Sequence, residues 1–272
     1  MQDERRTKRT QSINMKLEKI SEDKKNKKIS LLLKGGNEVF ANTIRRLIIE
    51  EVPTLAVEEV EVKDNSSALH DEMLALRLGL VPIKTDLKSY KLPKNQDEIN
   101  EKSATCTLQL KLKSSKKGYV YAGEAESADP KCTFVYEKMP VVKLLSKQKI
   151  DLIMTAVVGQ GKEHTKWSPG KAHYKKEPIL KLGKLQNPER LASLCSDGVF
   201  KFKGNNVELV QEKVYDSNLL ESYAEADKGI SLTYSDNLLF NVESWGQLSC
   251  KEMLAKSSEI LLEKIDEMEK LI

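Results

Sequence analysis

The stretch from Asn37 to Pro53, NEVFANTIRRLIIEEVP, limits the fold more than any other part of the chain. Val39, Phe40, Ile44, Leu47, Ile48 and Val52 recur at the three-to-four spacing that lines one face of a helix. Asn37 follows a Gly-Gly break and can cap the first turn through its side-chain oxygen. Pro53 sets the end, because it disfavours helical geometry at Val52 and has no amide hydrogen to donate. Asn42, Arg45, Arg46 and Glu50 fall on the other face. Two adjacent arginines there fit either a solvated face or the forked donors that protein interfaces favour.

A chain of 272 residues has the length for one or two domains and a sizeable core. Its 39% hydrophobic and 32% charged residues predict a globular protein with a heavily charged surface. Aromatics make up only 6%, which argues against a stacking platform for single-stranded nucleic acid. A net charge of +4 is too mild to imply nucleic-acid binding by itself. The opening segment MQDERRTKRTQS has no apolar signal core, and no apolar run reaches about 20 residues, so a cytoplasmic protein is expected. Cys106, Cys132, Cys195 and Cys250 form no C-x-x-C pair and are expected to be reduced thiols, mostly filling core.

Along the chain, residues 1–12 read as a mobile polar tail. Ile13, Met15 and Leu17 alternate as in a half-buried strand, and Ile29, Leu31 and Leu33 form the return strand that leads into the helix. Residues 55–62 predict a strand with a phase slip. The segment ALHDEMLALRLG predicts a second helix with Leu69, Met73, Leu76 and Leu80 as its buried stripe, ended by Gly79. Residues 84–104 read as a loop. Cys106–Leu112 is expected to be a strand paired with one beginning at Tyr119–Tyr121, and strands follow at VVKLL and Ile150–Val158. In residues 178–235, a helix after Asn187, a hairpin around Gly204, a helix near Ser217–Ala226 and a strand from Ile230 suggest a small α+β module. Leu238–Val242 reads as a further strand. Ser249 and Glu252 form a capping box, and Leu248 and Met253 a staple, ahead of a final amphipathic helix to Ile272.

No catalytic constellation is legible. The loop after Ile150–Val158 contains Gly159, Gly161 and Lys162, but a phosphate loop needs four residues between its glycines and Ser or Thr after the lysine. His164 and His173 are not at metal-ligand spacing on a helix, and His70 has no partner. The same loop concentrates Lys162, Glu163, His164, Lys166 and Trp167. Either Trp167 plugs the core beneath a solvated turn, or it anchors a protein-contact surface.

Three signatures resemble the D subunit of archaeal RNA polymerase, similar to the third subunit of eukaryotic polymerases and the N-terminal domain of the bacterial alpha subunit. The first is Asn42-Thr-Ile-Arg45-Arg46 with Ala56, Val60, Asn65, Ser67, Asp71-Glu72, Leu74-Ala75, Arg77-Leu78-Gly79 and Val81-Pro82. Thr43 departs from it, at a place where a smaller or serine-like residue is usual. The second is Gly161-Lys162-Glu163-His164 with Lys166-Trp167 and Pro169, and the third Asn241-Val242-Glu243-Ser244 with Gly246.

The resemblance implies an α+β fold: a discontinuous alpha-like dimerisation domain (13–52 plus 228–272), an inserted mainly β domain (53–177) and a small ferredoxin-like module lacking cluster ligands (178–227). It implies a non-catalytic assembly subunit of DNA-directed RNA polymerase, the nucleotidyltransferase centre lying in other subunits. Partners would be subunit L, the large catalytic subunits and the small subunits N and P, with DNA met only through the complex. Phe40, Ile44, Leu47, Ile48, Leu254, Leu261 and Ile265 would face subunit L. Arg45, Arg46, Arg77, Lys162, Glu163, His164, Lys166 and Trp167 would face the large subunits. Only Cys195 stands where many relatives carry iron–sulfur cysteines, and only Cys106 lies near the zinc loop of eukaryotic relatives, so no cofactor is expected. A stand-alone ferredoxin-like redox or ligand-binding protein is the rival reading. An independent nucleic-acid-binding protein is a third, and would require strongly salt-dependent binding by this chain alone.

Overall fold

A computed structural model describes residues 15–203 and 206–271. The expected tail at 1–12, Ile13 of the first strand and the turn at Gly204 lie outside those residues. The described elements are β1 (Lys16–Asp23), β2 (Lys28–Lys34), α1 (Glu38–Arg46), β3 (Thr54–Asn65), α2 (Asp71–Gly79), α3 (Gln96–Asn100) and β4 (Thr107–Ser114). There follow β5 (Gly118–Tyr121), β6 (Glu126–Ser127), β7 (Pro140–Leu144), β8 (Ile150–Gly159), β9 (Gly170–Leu182), α4 (Pro188–Leu194), β10 (Phe200–Lys203) and β11 (Asn206–Leu209). The chain closes with α5 (Gln211–Asp216), α6 (Leu220–Ala226), β12 (Ile230–Ser244) and α7 (Cys250–Leu271).

These elements form two compact units. Of the described residues, one unit comprises those up to Glu22 with Ile29–Asn42 and those between His173 and Asn241; the other comprises Asp23–Lys28, Thr43–Ala172 and those from Val242 onward. The sheet β1-β2-β12-β9 places β1 at an edge. β1 is exposed along most of its length, with Leu17 in water, so the half-buried strand expected there is corrected to a solvated edge. β2 is instead buried on both faces, and the hydroxyl of Ser30 donates to Asn241 Oδ1 at 2.7 Å, satisfying two buried polar groups at once. In the same unit, Leu191, Val199, Phe200, Val214, Leu220 and Tyr223 form a separate small core under α4, the β10–β11 hairpin, α5 and α6.

The other unit is built on the sheet β3-β8-β4-β6. β8 pairs antiparallel with both β3 and β4, and β3 carries two register shifts, at Val57/Glu59 and Val62/Asp64, where one slip was expected. β5 does not pair with β4; it pairs with β7 in a separate ribbon. β8 and β6 take both edges of β4, leaving no place for β5 there. The stripe expected on α2 is also corrected. Leu74 and Leu78 are its buried residues, whereas Met73, Leu76 and Leu80 lie open to solvent. Both sets have helical spacing, and Leu74 and Leu78 join Leu55, Leu110, Leu152 and Met154 in the main core. A short helix, α3, interrupts the segment read as loop.

The opening helix begins as its sequence dictates, with the Phe40 amide donating to Asn37 Oδ1 at 2.8 Å. It does not run regularly to Pro53. After Arg46 it widens into a π-helical turn over Leu47–Glu51, closed by the Val52 amide on the Leu47 carbonyl at 3.1 Å. The final helix opens on the expected capping box, with the Ser249 amide on Glu252 Oε2 at 2.8 Å and the Glu252 amide on Ser249 Oγ at 3.2 Å. Leu248 and Met253, the staple pair, are both buried.

Candidate docking surface

Acidic residues at a helix C-terminus oppose the helix dipole unless cations answer them. Glu50 and Glu51 stand there, and both are answered. Arg46 donates through Nε and Nη2 to the two oxygens of Glu50, at 3.2 and 3.0 Å. Glu51 takes Lys264 Nζ of α7 at 2.8 Å on one oxygen and Lys162 Nζ at 3.4 Å on the other. The hydrogen bond from Lys264 is the largest influence holding the Glu51 carboxyl below its ordinary value of 4.5. A depressed carboxylate contributes its stability in full above its ordinary value and loses it as pH falls through the lowered one. Glu51→Gln is therefore expected to cost about 1 kcal/mol at neutral pH and to flatten acid unfolding below about pH 4.5, read by circular dichroism along a pH series.

The loop that follows β8 is moulded onto this helix end. The Lys162 amide donates to the Glu50 carbonyl at 2.9 Å, and Gln160 Nε2 donates to the Glu51 carbonyl at 2.7 Å. A Cβ at Gly161 would stand 2.0 Å from the Ile49 carbonyl oxygen, so only glycine permits this approach. Trp167 ends the loop as a plug. It is 8% exposed, and its Nε1 donates to the Val157 carbonyl at 3.0 Å. Lys166 Nζ lies 4.4 Å from the Trp167 ring centroid and is bound by Glu58 and, at 3.2 Å, by the Val57 carbonyl. His164 Nδ1 accepts from the Lys166 amide at 3.1 Å.

The loop thus unites the expected residues unevenly. Lys162, Glu163 and His164 lie on the surface, whereas Trp167 is core and Lys166 is largely committed. Arg46 is exposed, Arg45 is partly buried, and Arg77 donates through Nη2 to the Pro140 carbonyl at 2.8 Å. On the other set of residues, Ile44, Leu47 and Ile48 are buried within the chain itself. Phe40, Leu254 and Leu261 are half-buried, and Ile265 is 43% exposed. On either side of it Leu262 and Met268 are 61% and 63% exposed, so the second half of α7 carries an apolar stripe in water. Sequence reasoning passed over Glu51, Gln160 and Lys264; the acidic pair at the helix end was the one signal that pointed to them.

Among the described residues no group of three His, Cys, Asp or Glu side chains could hold a metal ion, and no helix is long and apolar enough to cross a membrane. The module under α4–α6 does not fit an iron–sulfur cluster. Cys195 is its one thiol, and its neighbour Asp197 is engaged by the hydroxyls of Ser217 and Tyr223 and by the Val199 amide.

Residues 60–174 match the family model described as the RNA polymerase Rpb3/RpoA insert domain. The similarity extends well beyond that segment. DNA-directed RNA polymerase subunit Rpo3 of Pyrococcus horikoshii is 34% identical, over 93% of this chain and 95% of the relative. The Archaeoglobus fulgidus protein of the same name is 32% identical over 92% and 96%, and that of Methanosarcina acetivorans 30% over 87% and 91%. The chain belongs to the Rpo3 family of DNA-directed RNA polymerase subunits.

Proposed function

We propose that the chain is a non-catalytic assembly subunit of DNA-directed RNA polymerase, which pairs with subunit L and docks the large catalytic subunits. The observation that carries the reading is the apolar stripe on α7, left in water in a chain whose relatives along nearly its whole length are polymerase subunits. Obligate interfaces are apolar and large, of roughly 2,000 Å² or more, and a terminal amphipathic helix suits one. Phe40, Leu254, Leu261 and Ile265 would meet subunit L directly. Ile44, Leu47 and Ile48 would act from behind, by fixing the surface from within the core.

The large subunits would meet Arg45, Arg46, Arg77 and the Lys162–His164 segment, with Lys166 and Trp167 holding that segment in shape. Small subunits N and P would complete the partners, and DNA would be reached only through the assembled enzyme, in the cytoplasm. We read residues 178–227 as a ferredoxin-like module kept by apolar packing and by Asp197 in place of a cluster.

The test is affinity purification of the tagged chain from its native extract. Two very large subunits, a small L-like partner and templated RNA synthesis are expected; recovery of the chain alone without activity would overturn the proposal. Replacing Arg45 and Arg46 together by alanine should leave the pair with subunit L intact and weaken large-subunit retention by roughly tenfold, as expected for lost interface arginines. Loss of the heterodimer in that variant would contradict the division of faces.

A further inference from the structure

A strand packed on a core by one face shows every second side chain to water. The β5–β7 ribbon is built this way. Val120, Val142 and Leu144 belong to the main core, whereas Tyr119, Tyr121 and Lys143 stand on the outer face. The pairing sets Tyr119 opposite Lys143, and Lys143 Nζ lies 5.3 Å from the Tyr119 ring centroid. The two tyrosine rings are 6.3 Å apart between centroids and tilted by 41°, and they are 55% and 39% exposed. The chain is poor in aromatics overall, yet two stand side by side here in water.

The ribbon is also one-sided in charge. The whole chain is nearly balanced, with 45 basic and 41 acidic residues. Residues 114–123 and 138–150, which make the ribbon and its turns, hold six lysines and no Asp or Glu. Lys149 is taken by Asp64. Lys116, Lys117, Lys138, Lys143 and Lys147 are exposed and make no ion pair among the described residues. Four of these gather at the Tyr119 end: Lys143 across from the ring, and Lys116, Lys117 and Lys147 in the turns that flank the Gly118–Leu144 pair. The acids lining the neighbouring cleft, Asp64, Asp151 and Glu124, already have donors in Lys149, Lys113 and the Tyr121 amide.

Lysines without counter-charges call for a polyanion, and exposed tyrosines offer faces on which unpaired bases stack. A carboxylate-rich protein segment would answer the lysines and leave the rings idle. Duplex DNA keeps its bases paired and out of reach of the rings. The product of a DNA-directed RNA polymerase is a single strand, which meets both demands. We propose that this face of the ribbon holds the RNA transcript as it leaves the assembled polymerase, with the lysines on phosphates and Tyr119 and Tyr121 against neighbouring bases. A patch of this size holds a free strand only weakly; a transcript tethered to the enzyme arrives at high effective concentration. The inference rests on the polymerase reading above.

The experiment places a photo-reactive benzophenone side chain at position 145, which is 54% exposed and follows β7 directly. The polymerase is isolated through the tagged chain, halted on a template with a labelled transcript, and irradiated, and the adducts are mapped by mass. An adduct to the RNA is expected. Replacing Tyr119 and Tyr121 together by alanine should lower its yield at least tenfold. Lys116→Gln with Lys143→Gln should also lower it, and should make the yield about half as steep in salt, since two of the four clustered lysines are gone. Both variants should retain the other subunits as wild type does, because all four side chains are exposed. Adducts only to DNA or to protein, an RNA yield unchanged in both variants, or loss of subunits from either variant would overturn the inference. If the unmodified chain brings down no polymerase subunit, the function itself is wrong and this contact falls with it. If it does and no transcript is captured, only the ribbon assignment is wrong.

Discussion

Ile265→Asp is expected to abolish pairing with subunit L and leave this chain folded. Ile265 lies 43% exposed on the outer part of α7, past Ile260, the last of the helix's buried residues. An aspartate there is solvated in the free chain and costs almost nothing. In a closed apolar interface it becomes an unpaired buried charge, which costs about 3–5 kcal/mol, or roughly a hundredfold or more in affinity. Co-expression with subunit L followed by size exclusion and mass determination reads the result. A one-to-one complex surviving in the variant would show that this face of α7 is not the interface. Leu47→Asp makes the contrast. Leu47 is 6% exposed inside its own chain, so its charge reversal should destabilise the fold before any partner is involved.

Trp167→Ala should be the most damaging single truncation in the loop after β8. It removes a buried ring that fills the space over Gly159, where a Cβ would stand 2.4 Å from the indole. It also removes the Nε1 donor to the Val157 carbonyl. Large aromatic deletions of this kind cost about 3–5 kcal/mol. Trp167→Phe keeps most of the ring and loses the donor, so about 1–2 kcal/mol is expected. Urea denaturation of the two variants separates packing from hydrogen bonding. Equal losses in both would mean that the hydrogen bond, and not the plug, holds the loop.

How much of this was legible in the sequence depended on how local the cause was. The start of α1 was readable because Asn37 is a cap within three residues of its target, and the start of α7 because Ser249 and Glu252 satisfy each other. The face of α2 was not, because two leucine-rich stripes compete on one helix and the strands packed against it, β3 and β7, decide between them. The partner of β5 was missed for a similar reason: a turn at 114–118 suggests a hairpin, but long-range pairing by β8 and β6 had already claimed β4. The π-helical turn at Leu47–Glu51 left no mark in the periodicity, since five residues are too few to shift a pattern visibly. Of the candidate site, the basic and acidic loop residues were evident, while the split between presenting and supporting side chains, Glu163 against Trp167, is a matter of burial that one sequence does not encode locally.

That π-helical turn and the loop at 160–162 look like two motifs a hundred residues apart, yet each supplies what the other lacks. The turn offers the carbonyls of Glu50 and Glu51, and the loop returns the Lys162 amide and the Gln160 side chain. For anyone moving pieces between homologous subunits, they are one transplantable part. A loop grafted without its helix end would lose its backbone partners, and a helix end grafted without the loop would leave its last carbonyls bare. Chimaeras that exchange both together should keep the shape of the surface, whereas those that exchange either alone should not.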